Sequence, residues 1–198
     1  MRIDRRDLRR QLFAKASEQA GYFTAAQAKV LGYSYQAQAH HVSAGNWLRI
    51  DRGLFRLAEW PRDVHDDLVR WTLWSKGRAV VSHESALSVH GVGEFEASRV
   101  HLTVPPGFSK DDDDVVLHKA LLGTPDTEQR TGFRVTTALR SIVDLSSIGV
   151  DEEQLARAIT DSRERGLFTL RALRRSAETI DSRAALHIER AIHRAESQ

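Results

Sequence analysis

Between Gly45 and Leu57 the chain changes period, and that change restricts its fold more than any other feature. Two four-residue runs, Trp47-Leu48-Arg49-Ile50 and Leu54-Phe55-Arg56-Leu57, flank Asp51-Arg52-Gly53. Short β-like runs around a glycine-containing turn read as a hairpin, with Gly53 free to adopt a positive φ. Everything before Gly45 has helical spacing. Leu8, Leu12, Phe13, Ala16 and Ala20 predict an amphipathic helix over Asp7 to Ala20, ended by Gly21. Thr24-Ala25-Ala26-Gln27 is a capping box and predicts a short helix from Ala25 to Leu31, stopped at Gly32. Ser34 can cap a third helix, Tyr35 to Ala44, which stops at Gly45. The order helix, short helix, tight turn, helix, hairpin is that of a winged helix–turn–helix.

Charge follows the same division. Residues 1–60 hold ten Lys/Arg against five Asp/Glu, and residues 61–198 hold nineteen against twenty-two. A basic first part joined to a slightly acidic remainder suits a nucleic-acid module attached to something else. A wheel begun at Tyr35 places Tyr35, Gln38, Ala39 and Val42 together, with Ala39 and Val42 inward. Gln36, Ala37 and His40 then face outward, with His41 on the flank. Gln can pair with adenine and Ala can touch a thymine methyl, while serine and backbone N–H groups at a helix start can hold a phosphate. The expected DNA contacts are Arg2, Arg5 and Arg6 in a basic arm that also holds Arg9 and Arg10; Thr24, Ser34, Tyr35, Gln36, His40 and His41 around the second and third helices; and Arg49, Arg52 and Arg56 on the wing. The wing arginines are expected to meet phosphate, and Gln36 and His40 to discriminate bases.

Glu59-Trp60-Pro61 reads as a domain boundary, with Pro61 in the first turn of a new helix carried by Val64, Leu68 and Trp71. Beyond it, helices are expected from Ser82 to His90, Thr137 to Leu145, Asp151 to Arg165, Leu170 to Thr179 and Arg183 to Ala195. Val100 to Val104, Val115 to His118 and Phe133 to Val135 are strand-like. The expected fold class is α+β and mainly helical: an N-terminal winged helix–turn–helix over 1–60, followed over 61–198 by a helical C-terminal domain with a small β-sheet.

Several function classes lose support. No apolar run approaches the roughly 18 residues of a membrane span. The basic start lacks the apolar stretch of a secretory signal, and there is no cysteine, so a cytoplasmic protein without disulfides or thiolate zinc is expected. No catalytic residue, cofactor or metal site is expected. The phosphate-loop and His-Glu-x-x-His patterns are absent, as is the Glu-x-Lys pair of a Vsr-like nuclease. His83, Glu84 and His90 have the wrong spacing for a zinc helix and read as structural. Arg140 and Asp144, four apart, read as an intrahelical ion pair. Asp111 to Asp114 read as a solvated hairpin loop, with cation binding or nucleic-acid mimicry as the sharper alternatives.

Three segments are similar to AbiEi-family antitoxins of type IV (abortive-infection) toxin–antitoxin systems. They are Gly21 to Ala28 with Gly32-Tyr33-Ser34 and Gly45 to Leu57; Ser82 to Gly91, which resembles an SHxSAL…HG helix; and Val135 to Leu145, which resembles a VTxxLRTLVDL element. Ala138 and Ser141 stand where Pro and Thr are common in that element, and Gln38 where an apolar residue is usual. The resemblance implies a bacterial, non-enzymatic repressor that binds inverted repeats in its own promoter DNA. It also implies a nucleotidyltransferase-like toxin as partner, directly or functionally, with antitoxin activity in the C-terminal domain. The alternative is a winged-helix transcription regulator with a ligand- or protein-binding second domain.

Overall fold

A computed structural model of the chain describes residues 4–196. It divides into two compact units, residues 1–78 with 130–133, and residues 79–129 with 134–198. The first unit therefore runs past the boundary expected at residue 60.

In the first unit, α1 (Arg5–Ser17) begins two residues before the expected start, because the Asp4 carboxylate accepts from the Arg6 N–H at 2.9 Å and caps it. It also ends earlier than expected, with the chain turning through Ala20 and Gly21 at positive φ. Gly21 is required there twice over: its φ is +84°, and a Cβ would overlap the Trp60 ring. A strand that the sequence pattern did not suggest follows, β1 (Tyr22–Thr24). Thr24 then caps α2 (Ala25–Leu31) through the expected box. Its Oγ1 accepts from the Gln27 N–H at 3.1 Å, and Gln27 Oε1 accepts from the Thr24 N–H at 2.8 Å. Gly32, left-handed at φ 113°, ends α2, and Ser34 caps α3 (Tyr35–Ser43).

The hairpin is β2 (Trp47–Asp51) and β3 (Leu54–Leu57), closed by Arg52-Gly53 with Gly53 at φ +73°. β1 pairs antiparallel with β3, so the sheet order is β1-β3-β2 and β3 is its central strand. Phe23, Trp47 and Phe55 pack with Leu12, Ala16, Ala28 and Tyr33 in one core, and Phe23 meets Trp47 edge-on at 4.8 Å. α4 (Asp66–Trp74) completes the unit. It starts five residues after Pro61, which is not in a first helical turn, and Val64 is almost fully exposed rather than part of that helix.

The second unit carries a mixed sheet. Its strands are β4 (Val80–Val81), β5 (Val100–Val104), β6 (Val115–Lys119), β7 (Thr127–Arg130) and β8 (Phe133–Thr136), in the order β6-β5-β4-β8-β7. The last two straddle the division between units. β4 runs antiparallel to β5 and parallel to β8. β5 and β6 are parallel, so the segment bearing Asp111 to Asp114 is a crossover and not the expected hairpin loop. The strands alternate with α5 (His83–His90), and the chain finishes in α6 (Ala138–Ile148), α7 (Glu152–Glu164), α8 (Leu170–Ile180) and α9 (Ser182–Glu196). Thr137, Asp151 and Thr169 cap three of these helices from their side chains. Leu87, Ile142, Leu145, Leu155, Ile159, Leu173 and Ile188 fill the core between them.

Arg140 and Asp144 form the expected ion pair at 2.8 Å, both buried, and Asp126 lies 3.3 Å from the same guanidinium. Burial raises the Asp144 pKa against the pull of Arg140. His90 is satisfied structurally, one ring nitrogen 2.8 Å from the Thr136 carbonyl. Among the described residues, no helix is long and apolar enough to cross a membrane.

Candidate nucleic-acid interface

The candidate surface is built on α3. Ser34 holds its start, the hydroxyl accepting from the Ala37 N–H at 3.2 Å. Gln38 anchors it from beneath. That side chain is buried and donates to the Ala25 and Tyr33 carbonyls, each at 3.1 Å. Ala37 and Val42 pack toward the core, and His41 stacks on Trp47 with ring centroids 4.7 Å apart and planes 13° apart. The opposite face presents Tyr35, Gln36, Ala39, His40 and Ser43 to solvent.

The expected phase is thus corrected. Ala39 faces out and Ala37 faces in, the reverse of the wheel reading, while Gln36 and His40 face out as expected. The apolar pattern misleads here because the helix buries a glutamine and exposes Tyr35, whose ring lies 4.8 Å beneath the Lys29 ammonium.

The basic residues sort into two groups. Arg5 and Arg6 are exposed on the first turn of α1, and Arg49 and Arg52 are exposed on the hairpin. Arg2 lies outside the described residues. Arg56 belongs to the other group. It is 3% exposed, and its guanidinium donates to the Pro61 carbonyl and to Asp66, both at 2.7 Å, while lying over the Tyr22 ring. It is a structural ion-pair partner and has no free face for a phosphate. Burial raises the Tyr22 pKa, with Asp66 adding to the effect.

Thr24 is half-buried and its hydroxyl already accepts in the α2 cap. His41 is also half-buried, with its Nδ1 3.2 Å from the Asn46 amide nitrogen. Its pKa is lowered by burial first, then by His40 and Arg9. A cleft of about 790 Å³ brings several of these groups together. Arg5, Arg9 and Phe13 of α1 line it with Ser34, His40 and His41 of the α3 segment. Arg9, a member of the expected basic arm, sits one helical turn from Arg5.

Residues 10–58 match the family described as transcriptional regulator, AbiEi antitoxin. No curated protein matches the sequence. Among solved structures, the RV2827C protein from Mycobacterium tuberculosis is similar in fold, with a TM-score of 0.61 and 13% identity over 96% of this chain and 79% of that one. The expected resemblance is therefore found at the N-terminus, where residues 10–58 are similar to the AbiEi antitoxin transcriptional-regulator family.

Proposed function

We propose that the chain is a bacterial type IV antitoxin that represses its own operon and neutralises a cognate nucleotidyltransferase-like toxin. In this reading the first unit is a winged helix–turn–helix that binds inverted repeats in promoter DNA. α3 enters the major groove, and the hairpin is the wing. Gln36 and His40, one turn apart on the exposed face, meet base edges, with Ala39 between them available to a thymine methyl. Arg5, Arg6, Arg49 and Arg52 meet phosphates. The second unit carries the antitoxin activity without catalysing a reaction, and the protein acts in the cytoplasm.

One observation carries this reading. The AbiEi match at residues 10–58 coincides with a helix whose exposed face is polar and whose neighbouring hairpin and first helix expose arginines. The test is a gel shift with full-length protein on its own promoter and on a scrambled duplex. Tighter binding to the promoter is expected, and equal binding to both would overturn the repressor assignment. Toxin rescue in cells tests the second half. Rescue is expected to survive substitutions at Gln36 and Arg52 that abolish repression. Loss of rescue with those substitutions, at unchanged protein level, would overturn the division of labour.

A further inference from the structure

The second unit gathers three histidines for which DNA binding has no use. Antiparallel pairing of β4 with β5 sets Val81 opposite Leu102, and the Ser82 N–H donates to the His101 carbonyl at 3.0 Å. This brings His83, the first residue of α5, beside His101 of β5. Parallel pairing of β5 with β6 sets Val116 opposite His101 and His118 opposite Thr103. His101 and His118 are therefore diagonal neighbours on one face, since side chains two residues apart along a strand share a face. One ring nitrogen from each histidine lies within 4.8 Å of the other two. His118 Nε2 and His101 Nδ1 are 3.2 Å apart, and the His83 ring is stacked on His118 at 3.5 Å.

We propose that His83, His101 and His118 form a binding site for one transition-metal dication of the zinc class. Zinc–imidazole bonds of about 2.0–2.1 Å in tetrahedral geometry separate ligand nitrogens by roughly 3.3 Å, close to the His101–His118 spacing. The Ser82 hydroxyl lies 2.9 Å from His83 Nδ1. Accepting from that N–H leaves the Nε2 lone pair for the ion, the arrangement by which a neighbouring acceptor fixes a ligating tautomer. His83 holds this place at φ +54°, a left-handed conformation uncommon outside glycine.

Burial first, and then the neighbouring histidines, lower the pKa of His83 and of His118. Charges of both signs act on the cluster: the Glu84 carboxylate and the Arg99 guanidinium on His101, and the Arg140 guanidinium on His83. Imidazoles alone, without thiolate, select zinc, nickel, copper or cobalt, and the set is wrong for calcium or magnesium, which take oxygen.

Binding must change one feature. Lone pairs lie in the ring plane, so those of the stacked His83 and His118 rings run side by side and do not converge. The ion therefore has to turn one ring out of the stack. Three protein ligands leave a fourth position for water or a partner's donor atom.

The test uses untagged full-length protein stripped with a chelator. Titration with zinc or cobalt by calorimetry should give one ion per chain, with no binding of magnesium. His101→Gln and His118→Gln should each weaken zinc binding by more than about tenfold, while His193→Gln on α9 leaves it unchanged. Circular dichroism identifies any variant that does not fold. X-ray absorption on the unaltered zinc-loaded protein needs no variant and should count three imidazole ligands. Absence of zinc and cobalt binding, zinc binding unchanged in the folded His101→Gln and His118→Gln proteins, or a coordination shell without three imidazoles would each overturn the proposal.

Discussion

Arg52 and Arg56 are four residues apart on one hairpin, yet they do opposite things. Arg56 is buried against Asp66, and its Nε and Asp66 Oδ1 have no hydrogen-bond partner, so the pair is already imperfectly compensated. Arg56→Ala would leave the largely buried Asp66 carboxylate without its partner. Such changes cost about 3–5 kcal/mol, and chemical denaturation should show a loss of that size. Arg52→Ala should leave stability within about 0.5 kcal/mol. It should weaken binding to promoter and random DNA alike and reduce the salt slope by about 1. A wing substitution that changed base preference at constant slope would make Arg52 a reader instead. The sequence treated both as wing cations because β1 was not foreseen. Without it β3 looks like an edge strand, whereas β1 makes it central and buries Leu54, Phe55 and Arg56. His41 supplies a pH effect at this scale. Its folded pKa lies below the ordinary 6.5, so below that pH the unfolded chain binds the extra proton. Its contribution to stability is complete above about 6.5 and declines as pH falls. The slope stays under about 1.4 kcal/mol per pH unit, reduced by the partial exposure of the ring. Denaturation at pH 7 and pH 5 should show a decline to which the lowered pKa values of His83, His101 and His118 also contribute, and His41→Phe should remove only the share of His41.

At the scale of the element, α3 separates what its caps reveal from what its pattern hides. Thr24, Ser34, Thr137 and Thr169 announce their helices because each leaves an oxygen to accept an otherwise unpaired N–H, and all four do so, whereas Ser82, expected to cap α5, makes no such bond. The facing of α3 was only half legible, since Gln38 is buried by hydrogen bonds that no hydropathy pattern contains. Three strands were illegible for a different reason: β1 has three residues and β4 two, and β7, Thr-Glu-Gln-Arg, has no apolar residue. The histidine cluster was hidden because strand register, not sequence spacing, assembles it. The corrected α3 phase gives a paired prediction. Gln36→Ala should cost about 1–3 kcal/mol on the native site and little on random DNA, without changing the melting curve. Gln38→Ala should do the reverse, destabilising by about 1–3 kcal/mol as two buried carbonyls lose their donor. If Gln38→Ala alone erased specificity in a well-folded protein, the face assigned to DNA would be wrong.

At the scale of the whole molecule, the place where the chain can be cut follows from the same contacts. Trp60-Pro61 has the composition of a linker, yet residues 61–78 belong to the first compact unit. A fragment ending at residue 60 keeps Arg56 but loses both groups that hold its guanidinium, the Pro61 carbonyl and the Asp66 carboxylate. It also loses Leu68, Val69 and Trp71, all buried on α4. A fragment ending at residue 78 keeps all of these. It still lacks residues 130–133, where Gly132 comes so close to Val69 that a Cβ would lie 3.0 Å from its methyls. The expected order of thermal stability is therefore fragment 1–60 below fragment 1–78, with 1–78 below the same unit in the full chain. Urea titrations followed by tryptophan fluorescence should give that order. Because Arg56 faces Asp66 and not phosphate, DNA affinity should follow the folded fraction of each fragment. An equal midpoint for 1–60 and 1–78 would mean that α4 and its ion pair contribute nothing to the unit, and would restore the boundary that the sequence suggests.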